Sequence, residues 1–112
     1  MKPVFNPQNL YNLLRTIPKG KVITYKTAAV MLGNPGWARA VGNALHRNPD
    51  GEYYPCYKVV NAKGELCNAF VFGGKEEQAR RLQKEGIVVE NGRVNLEKYA
   101  FRGQIEEDIS PN

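Results

Sequence analysis

Two consecutive helix signals in the first half of the chain restrict its fold more than any other feature. Thr24 occupies an N-cap position before an apolar helical stretch, and Gly33 ends that stretch. Asn34-Pro35 follows at once and repeats the pattern of a capping residue with proline in the first turn. The apolar stripe of this next helix comprises Trp37, Val41, Ala44 and Leu45. Two short helices joined by so tight a turn predict a helix-turn-helix, a motif that often places its second helix in a DNA groove, although many such hairpins bind nothing.

The remaining elements are one helix before this motif and a mixture of short elements after it. Asn6-Pro7 begins the first helix and Pro18 to Gly20 end it; its buried stripe comprises Leu10, Leu13, Leu14 and Ile17. After the motif we expect a strand at 58–61, a loop at 65–74, a helix at 75–84 and a β-hairpin at 87–96 that turns at Asn91-Gly92. The sequence therefore predicts a mainly α (α/β) fold, a winged-helix-like helix-turn-helix domain with short β elements.

Size and composition favour one small domain. The chain has 112 residues, of which 42 % are hydrophobic, and no apolar run approaches the roughly 20 residues of a membrane span. The first residues, MKPVFNPQ, lack the apolar stretch of a secretory signal. Two cysteines and one histidine argue against a disulfide framework and against a zinc site. We expect a cytoplasmic monomer, associated with the nucleoid if the source is prokaryotic, with no membrane contact and no metal or other cofactor.

Charge is unevenly distributed along the chain. The net charge is +5, yet the last nine residues carry three acids and no base. We therefore expect residues 1–103 to form a single basic domain and residues 104–112 to form an acidic, disordered tail. A basic body of this size favours a polyanionic partner such as nucleic acid, and a solubilising surface charge is the alternative.

The hexapeptide PCYKVV, residues 55–60, is the best candidate for a chemical site. Pro55 restricts the backbone before Cys56, and the following valines indicate a buried anchor, an arrangement that suits a fixed thiol at the floor of a pocket. Cys56 is followed by Tyr57, a phenol where a nucleophilic cysteine needs a base. An ordinary buried cysteine is the alternative, and Cys67 is expected to be incidental.

A family resemblance rests on the order and spacing of several motifs. These are the segment ARAVG at 38–42, Asn48-Pro49, PCYKVV, Gly73-Gly74 and the helix end LQKEG at 82–86. Over roughly residues 5 to 100 the chain resembles the DNA-binding domain of the O6-alkylguanine-DNA alkyltransferases, or methylated-DNA–protein-cysteine methyltransferases. It is equally similar to their relatives, the alkyltransferase-like proteins. The resemblance implies double-stranded DNA containing O6-alkylguanine as the partner, bound through the minor groove.

The resemblance also implies roles for individual residues. Arg39 matches the arginine that enters the duplex and fills the gap left by a flipped guanine, and Tyr25 matches the tyrosine that helps to rotate the nucleotide. Cys56 matches the alkyl acceptor, Asn48 the asparagine that braces the turn before it, and Glu85 the glutamate that ends the hydrogen-bond chain of the site. Further DNA-binding positions are Ala38, Gly42, Lys58 and Val59, the last offering its backbone carbonyl, with that of Cys56, to the flipped base.

Two departures from the family pattern leave the reaction open. The family motif is Pro-Cys-His-Arg, whereas this chain has Tyr57 and Lys58 after the cysteine, and Phe72 is expected where a hydroxyl residue normally faces the base. Tyr57 is too weak a base near neutral pH, although it can hydrogen-bond a thiolate and Lys58 can add positive field. The first hypothesis is a single-turnover methyltransferase that repairs DNA by alkyl transfer to Cys56. The alternatives are a non-catalytic lesion binder that flags O6-alkylguanine for nucleotide excision repair, and a generic helix-turn-helix DNA binder.

Overall fold

A computed structural model describes residues 4–103 of the chain and shows a mainly helical fold with one small sheet. The fold class expected from the sequence is confirmed. The acidic tail expected at 104–112 lies outside the described residues. The elements in chain order are α1 (Pro7–Leu14), β1 (Ile23–Thr24), α2 (Tyr25–Leu32), α3 (Ala38–His46), β2 (Val59–Val60), α4 (Gly74–Lys84) and α5 (Leu96–Tyr99), with 3₁₀ turns at Pro35–Trp37 and Cys56–Lys58.

Helix α1 begins as the sequence predicts and ends earlier. The Asn6 side chain accepts a hydrogen bond from the backbone N–H of Gln8, and Pro7 occupies the first turn. The helix stops at Leu14, so the expected continuation to Ile17 is wrong. Ile17 is nevertheless buried, because the chain after the helix folds back under the same core.

The helix-turn-helix forms, with an extra turn before its second helix. Thr24 accepts a hydrogen bond from the backbone N–H of Thr27, and Gly33 ends α2 in the left-handed region at φ 119°. Asn34 caps the segment that follows through the N–H of Gly36, but that segment is a 3₁₀ turn, and the α-helix begins only at Ala38. The turn therefore changes the chain direction before α3 starts.

The sheet ties the cysteine segment to the entrance of the helix-turn-helix. β1 pairs in parallel with β2, with Ile23 opposite Val59 and Thr24 opposite Val60. The strand expected over 58–61 is thus shorter than predicted, because Lys58 belongs to the 3₁₀ turn of Cys56–Lys58. This pairing holds the cysteine beside the beginning of α2.

The C-terminal third differs most from the sequence prediction. The turn at Asn91-Gly92 is present, with φ values of 55° and 71°, but only a single bridge joins Glu90 and Arg93, and the two strands of the expected hairpin do not form. The segment after the turn instead pairs with 64–66, since Val94 N–H donates to the Gly64 carbonyl at 2.9 Å. Helix α5, capped by Asn95, was not predicted.

Two apolar cores lie on either side of the sheet. The first packs α1, α2 and α3 together and includes Cys56 and Val59. The second lies under α4 and includes Val60, Leu82 and Ile87. Adjacent strand residues face opposite cores, as the alternation of a strand requires. Nowhere in residues 4–103 does a helix have the length and apolar character needed to cross a membrane.

Candidate functional site

A pocket of about 450 Å³ opens between α2, α3, the Cys56 turn and the loop that precedes α4. Six residues predicted from the sequence line it: Tyr25, Ala38, Arg39, Gly42, Cys56 and Val59. These residues come from three separate segments of the chain. The fold therefore brings most of the expected site residues to one cavity.

One face of α3 forms a wall of this pocket. Arg39, Gly42 and His46 lie three and seven positions apart and so share a helix face, while Val41 and Ala44 are buried in the first core. Arg39 is exposed. A Cβ atom at Gly42 would meet no protein atom within 4 Å. The glycine therefore leaves open space beside the pocket.

Cys56 lies at the floor of the pocket and is only 4 % exposed. Its backbone N–H donates to the Tyr54 carbonyl at 2.7 Å, and the Asn48 side-chain amide donates to the same carbonyl at 2.8 Å. The Asn48 side-chain oxygen accepts from the Asp50 N–H at 3.1 Å, so this buried asparagine joins the turn at 48–50 to the approach of the cysteine. The bracing role expected of Asn48 in the family's chemistry stays a prediction.

The surroundings of Cys56 favour the protonated thiol. Burial raises the pKa of the Cys56 thiol above its usual value, and a hydrogen bond from Asn48 offsets only part of that effect. The one histidine of the chain is on the pocket rim, not at position 57. At neutral pH the nucleophilic thiolate is therefore a minor species.

Tyr57 and Glu85 form a hydrogen-bonded pair on the far side of the cysteine segment. The Tyr57 hydroxyl donates to Glu85 Oε2, and Glu85 Oε1 accepts from the Gly20 N–H at 2.9 Å and from Lys58 Nζ at 3.0 Å. Burial raises the pKa of Glu85, but the hydrogen bonds from Tyr57, Gly20 and Lys58 outweigh it and lower the pKa overall. Burial and the Glu85 carboxylate both raise the pKa of Tyr57. Tyr57 is thus a hydrogen-bond donor whose hydroxyl is committed to Glu85.

The prediction that Lys58 contacts DNA or adds positive field at the thiol does not fit its position. Lys58 is 4 % exposed, and its ammonium donates to the carbonyls of Ile17 and Pro18 at 3.1 and 3.0 Å as well as pairing with Glu85. The side chain extends away from the pocket toward the chain after α1. Its role in the structure is to hold Glu85 and the end of the α1 segment together.

The loop before α4 also differs from expectation. Phe72 does not line the pocket; its ring packs against Gly51, where an added Cβ would lie 2.6 Å from the ring. Ala69, Phe70 and Val71 line the pocket instead. This side of the pocket is therefore apolar.

Eight residues that line the pocket were not assigned a site role from the sequence, among them Cys67, Gln78 and His46. Cys67, expected to be incidental, lines the cavity, and burial together with its thiol raises the pKa of Tyr25 to about 12. Gln78 is 1 % exposed and accepts from the Cys67 N–H at 2.8 Å while donating to the Tyr57 and Val59 carbonyls at 3.0 and 3.1 Å. It joins the two cysteine-bearing segments. The signal for Gln78 was its spacing of four from Leu82 on the buried face of α4. His46, which is exposed, also lines the pocket.

The Val59 carbonyl is expected from the sequence to contact the flipped base. In the structure it already accepts a hydrogen bond from the Gln78 side-chain amide, which uses one of its two lone pairs.

Within residues 4–103 no group of three or more histidine, cysteine or acidic side chains is arranged to hold a metal ion.

Comparison with known proteins matches the chain to one family. The family model described as 6-O-methylguanine DNA methyltransferase, DNA binding domain, matches residues 6–87. A DNA base-flipping protein of Vibrio parahaemolyticus is 38 % identical over 94 residues, which cover 83 % of this chain and 92 % of that protein. A bifunctional methyltransferase/endonuclease of Picrophilus torridus is 47 % identical over 92 residues, which cover 82 % of this chain. The matched region is only 30 % of that longer relative.

The fold has a close counterpart among solved structures. Schizosaccharomyces pombe Atl1, in complex with damaged DNA containing O6-carboxymethylguanine, superposes with a TM-score of 0.78 at 28 % identity, covering 87 % of this chain and 94 % of the other. The family model, the relatives and the fold agree. The chain belongs to the O6-methylguanine-DNA methyltransferase family, and residues 6–87 match the model of that family's DNA-binding domain.

Proposed function

We propose that this protein binds double-stranded DNA through the α3 face and the minor groove, rotates an O6-alkylated guanine into the pocket, and accepts the alkyl group once on Cys56. The observation that carries the proposal is the position of the Cys56 thiol at the floor of a pocket whose wall includes Arg39 and Gly42. The similarity of the chain to a DNA base-flipping protein, and of its fold to Atl1 in complex with damaged DNA, supports the same function.

Recognition follows from the chemistry of the pocket wall. Extruding a base costs a few kcal/mol, and least for a base that pairs poorly. Arg39, exposed and always charged, can enter the stack and donate to the orphaned partner base. Tyr25 stays protonated well above neutral pH and can donate a hydrogen bond as the nucleotide rotates. The empty space at Gly42 lets the DNA backbone approach the helix.

The transfer step is a substitution at the alkyl carbon. The Cys56 thiol first loses its proton, the sulfur then forms a bond to the alkyl carbon, and the bond from that carbon to guanine O6 breaks with its electron pair. The released guanine takes up one proton, so the thiol proton is balanced. The product is S-alkylcysteine and normal guanine, and each molecule acts once because no group in the step regenerates the thiol.

Intact mass spectrometry tests this proposal directly. The protein is incubated with a duplex that contains O6-methylguanine, and with a matched duplex that contains guanine. We expect the mass of one methylene group to be added only with the lesion duplex, located at Cys56 by peptide mapping, and no addition in Cys56→Ser. No addition at Cys56 after long incubation at alkaline pH would contradict the transfer step.

A second candidate function is lesion binding without transfer, as a signal for nucleotide excision repair. The observation that favours it is the residue that follows the cysteine. Position 57 holds a tyrosine where the family has a histidine base, and the tyrosine hydroxyl donates its hydrogen bond to Glu85. The distinguishing result is selective, reversible binding of the lesion duplex by wild type with no mass change. Equal affinity for lesion and guanine duplexes would contradict both functions and favour a generic DNA binder.

A matched pair of variants on α3 tests the binding face itself. Arg39→Ala should weaken lesion binding by about 2 kcal/mol, roughly thirtyfold, with a smaller loss on plain DNA. Gly42→Ala should raise helix stability by about 0.5–1 kcal/mol, because glycine is a poor helix former, yet weaken DNA binding by filling the open space. An equal loss on both duplexes for Arg39→Ala would place the arginine in general DNA contact rather than lesion recognition.

A further inference from the structure

His46 stands on the rim of the pocket at the C-terminal end of the α3 face that carries Arg39. The two positions are seven residues apart, which is two helical turns or about 10 Å along the axis. The imidazole is exposed, and among residues 4–103 it has no hydrogen-bond or ion-pair partner. It is the only histidine of the chain. The side chain is thus available to a ligand that covers the mouth of the pocket.

Within residues 4–103, the pocket lining offers no carboxylate to neutralise an imidazolium at position 46. The other ionisable side chains that line the pocket are Arg39 on α3, Tyr25 on α2, Cys56 on its 3₁₀ turn and Cys67 on the loop before α4. An anion at this rim is therefore attracted by Arg39 and by a protonated His46, and a DNA backbone supplies such anions at regular spacing.

We propose that His46 is a titratable phosphate contact, which in its protonated form binds a backbone phosphate beside the nucleotide that enters the pocket. This contact rests on the proposed function, because it requires DNA at the mouth of the pocket. Histidine is the side chain whose charge changes between pH 5 and 8. A phosphate favours the imidazolium, so binding takes up a proton and lesion affinity increases as the pH falls.

The magnitude follows from counterion release. One additional phosphate contact steepens the dependence of log affinity on log salt by about 0.9. Raising the salt concentration fourfold, from 50 to 200 mM, then costs roughly threefold more in affinity with His46 protonated than with it neutral. The phosphodiester itself does not titrate in this range, and His46→Gln on the same duplex controls for any protonation of the bases.

Fluorescence anisotropy with a labelled O6-methylguanine duplex measures this effect. Affinities are determined from pH 5.5 to 8 at 50 and 200 mM salt, in a Cys56→Ser background that prevents covalent capture. We expect the parent to bind more tightly and with a steeper salt slope at pH 5.5. His46→Gln should be nearly independent of pH, and His46→Arg should keep the steep slope throughout. Lys63→Gln, a cation that does not line the pocket, should retain the parental response.

The outcomes separate this contact from the proposed function. The same pH response in His46→Gln as in the parent would overturn the contact, since another group would then be titrating. Lesion-selective binding that is independent of pH in the parent would also overturn it and leave the proposed function standing. No DNA binding at any pH would overturn the proposed function and the contact together. Because His46 is exposed, thermal unfolding of His46→Gln is expected to match the parent.

Discussion

The Cys56 thiol gives the sharpest prediction, because its environment determines how its reactivity responds to pH. Burial raises its pKa, and the hydrogen bond from Asn48 offsets only part of the increase. Since the thiolate is the nucleophile, a thiol whose pKa lies above the assay range gains about tenfold in reactivity for each pH unit. We therefore expect the rate of alkyl capture at Cys56 to approach the limiting increase of about 100-fold between pH 7 and pH 9, without levelling off.

An unperturbed cysteine would respond differently over the same range. With a pKa of about 8.5, its thiolate fraction increases only about 25-fold between pH 7 and pH 9 and begins to level off before the upper limit. A cysteine activated by a neighbouring base or cation would reach its plateau still earlier. The shape of the profile therefore distinguishes a buried, unassisted thiol from an activated one.

The assay follows mass addition at Cys56 with two reagents. The O6-methylguanine duplex reports transfer, and a small haloacetamide without DNA reports the thiol itself, so the pKa can be measured even if transfer is absent. A Cys67→Ser background leaves one thiol in the pocket, and a small free thiol provides the reference profile. A plateau below pH 8 with the haloacetamide would refute the reasoning, because it would show a depressed pKa.

Three further changes test the groups behind the cysteine. Tyr57→His should raise the methyl-transfer rate near pH 7, measured by mass addition, at least about tenfold, because an imidazole can accept the thiol proton. An unchanged rate would contradict the idea that the lack of a base limits transfer. Lys58→Met should lower the free energy of unfolding, measured by urea titration, by about 3 kcal/mol, because the largely buried Glu85 carboxylate loses its cation. A loss under 1 kcal/mol would show that Glu85 is well solvated. Gly51→Ala should cost about 1–3 kcal/mol in the same assay, because the added Cβ overlaps the Phe72 ring; wild-type stability would show that the ring moves freely.

The local signals of the first half of the chain were sufficient to predict its helices. Asn6, Thr24 and Asn34 each cap the segment that follows them, because a short polar side chain satisfies N–H groups that a helix start leaves free. The hairpin at 87–96 failed for a nonlocal reason. Its second half finds hydrogen-bond partners at 64–66, a competing edge that no local pattern reveals.

For the candidate site as well, local motifs predicted some residues, whereas the positions of others depend on the tertiary structure. Sequence motifs identified Tyr25, Arg39 and Cys56, and the structure brings them to one pocket. The pocket roles of Cys67 and Gln78 depend on how the loop before α4 folds back over the cysteine segment, which spacing along the chain does not encode. The position of Phe72 likewise depends on its packing against a distant turn.

The 3₁₀ turn at Cys56–Lys58 separates the side chain that faces the pocket from the side chains that contact Glu85. A strand would place residues 56 and 58 on one face, whereas a 3₁₀ turn has three residues per turn and directs three consecutive side chains about 120° apart. Cys56 accordingly faces the pocket, Tyr57 reaches Glu85 beside a second cleft, and Lys58 extends to the carbonyls after α1. If the proposed function holds, we expect substitutions at 57 and 58 to alter proton transfer from the thiol without changing the pocket wall. A chain built this way can retain selective lesion binding while the rate of alkyl transfer varies over a wide range.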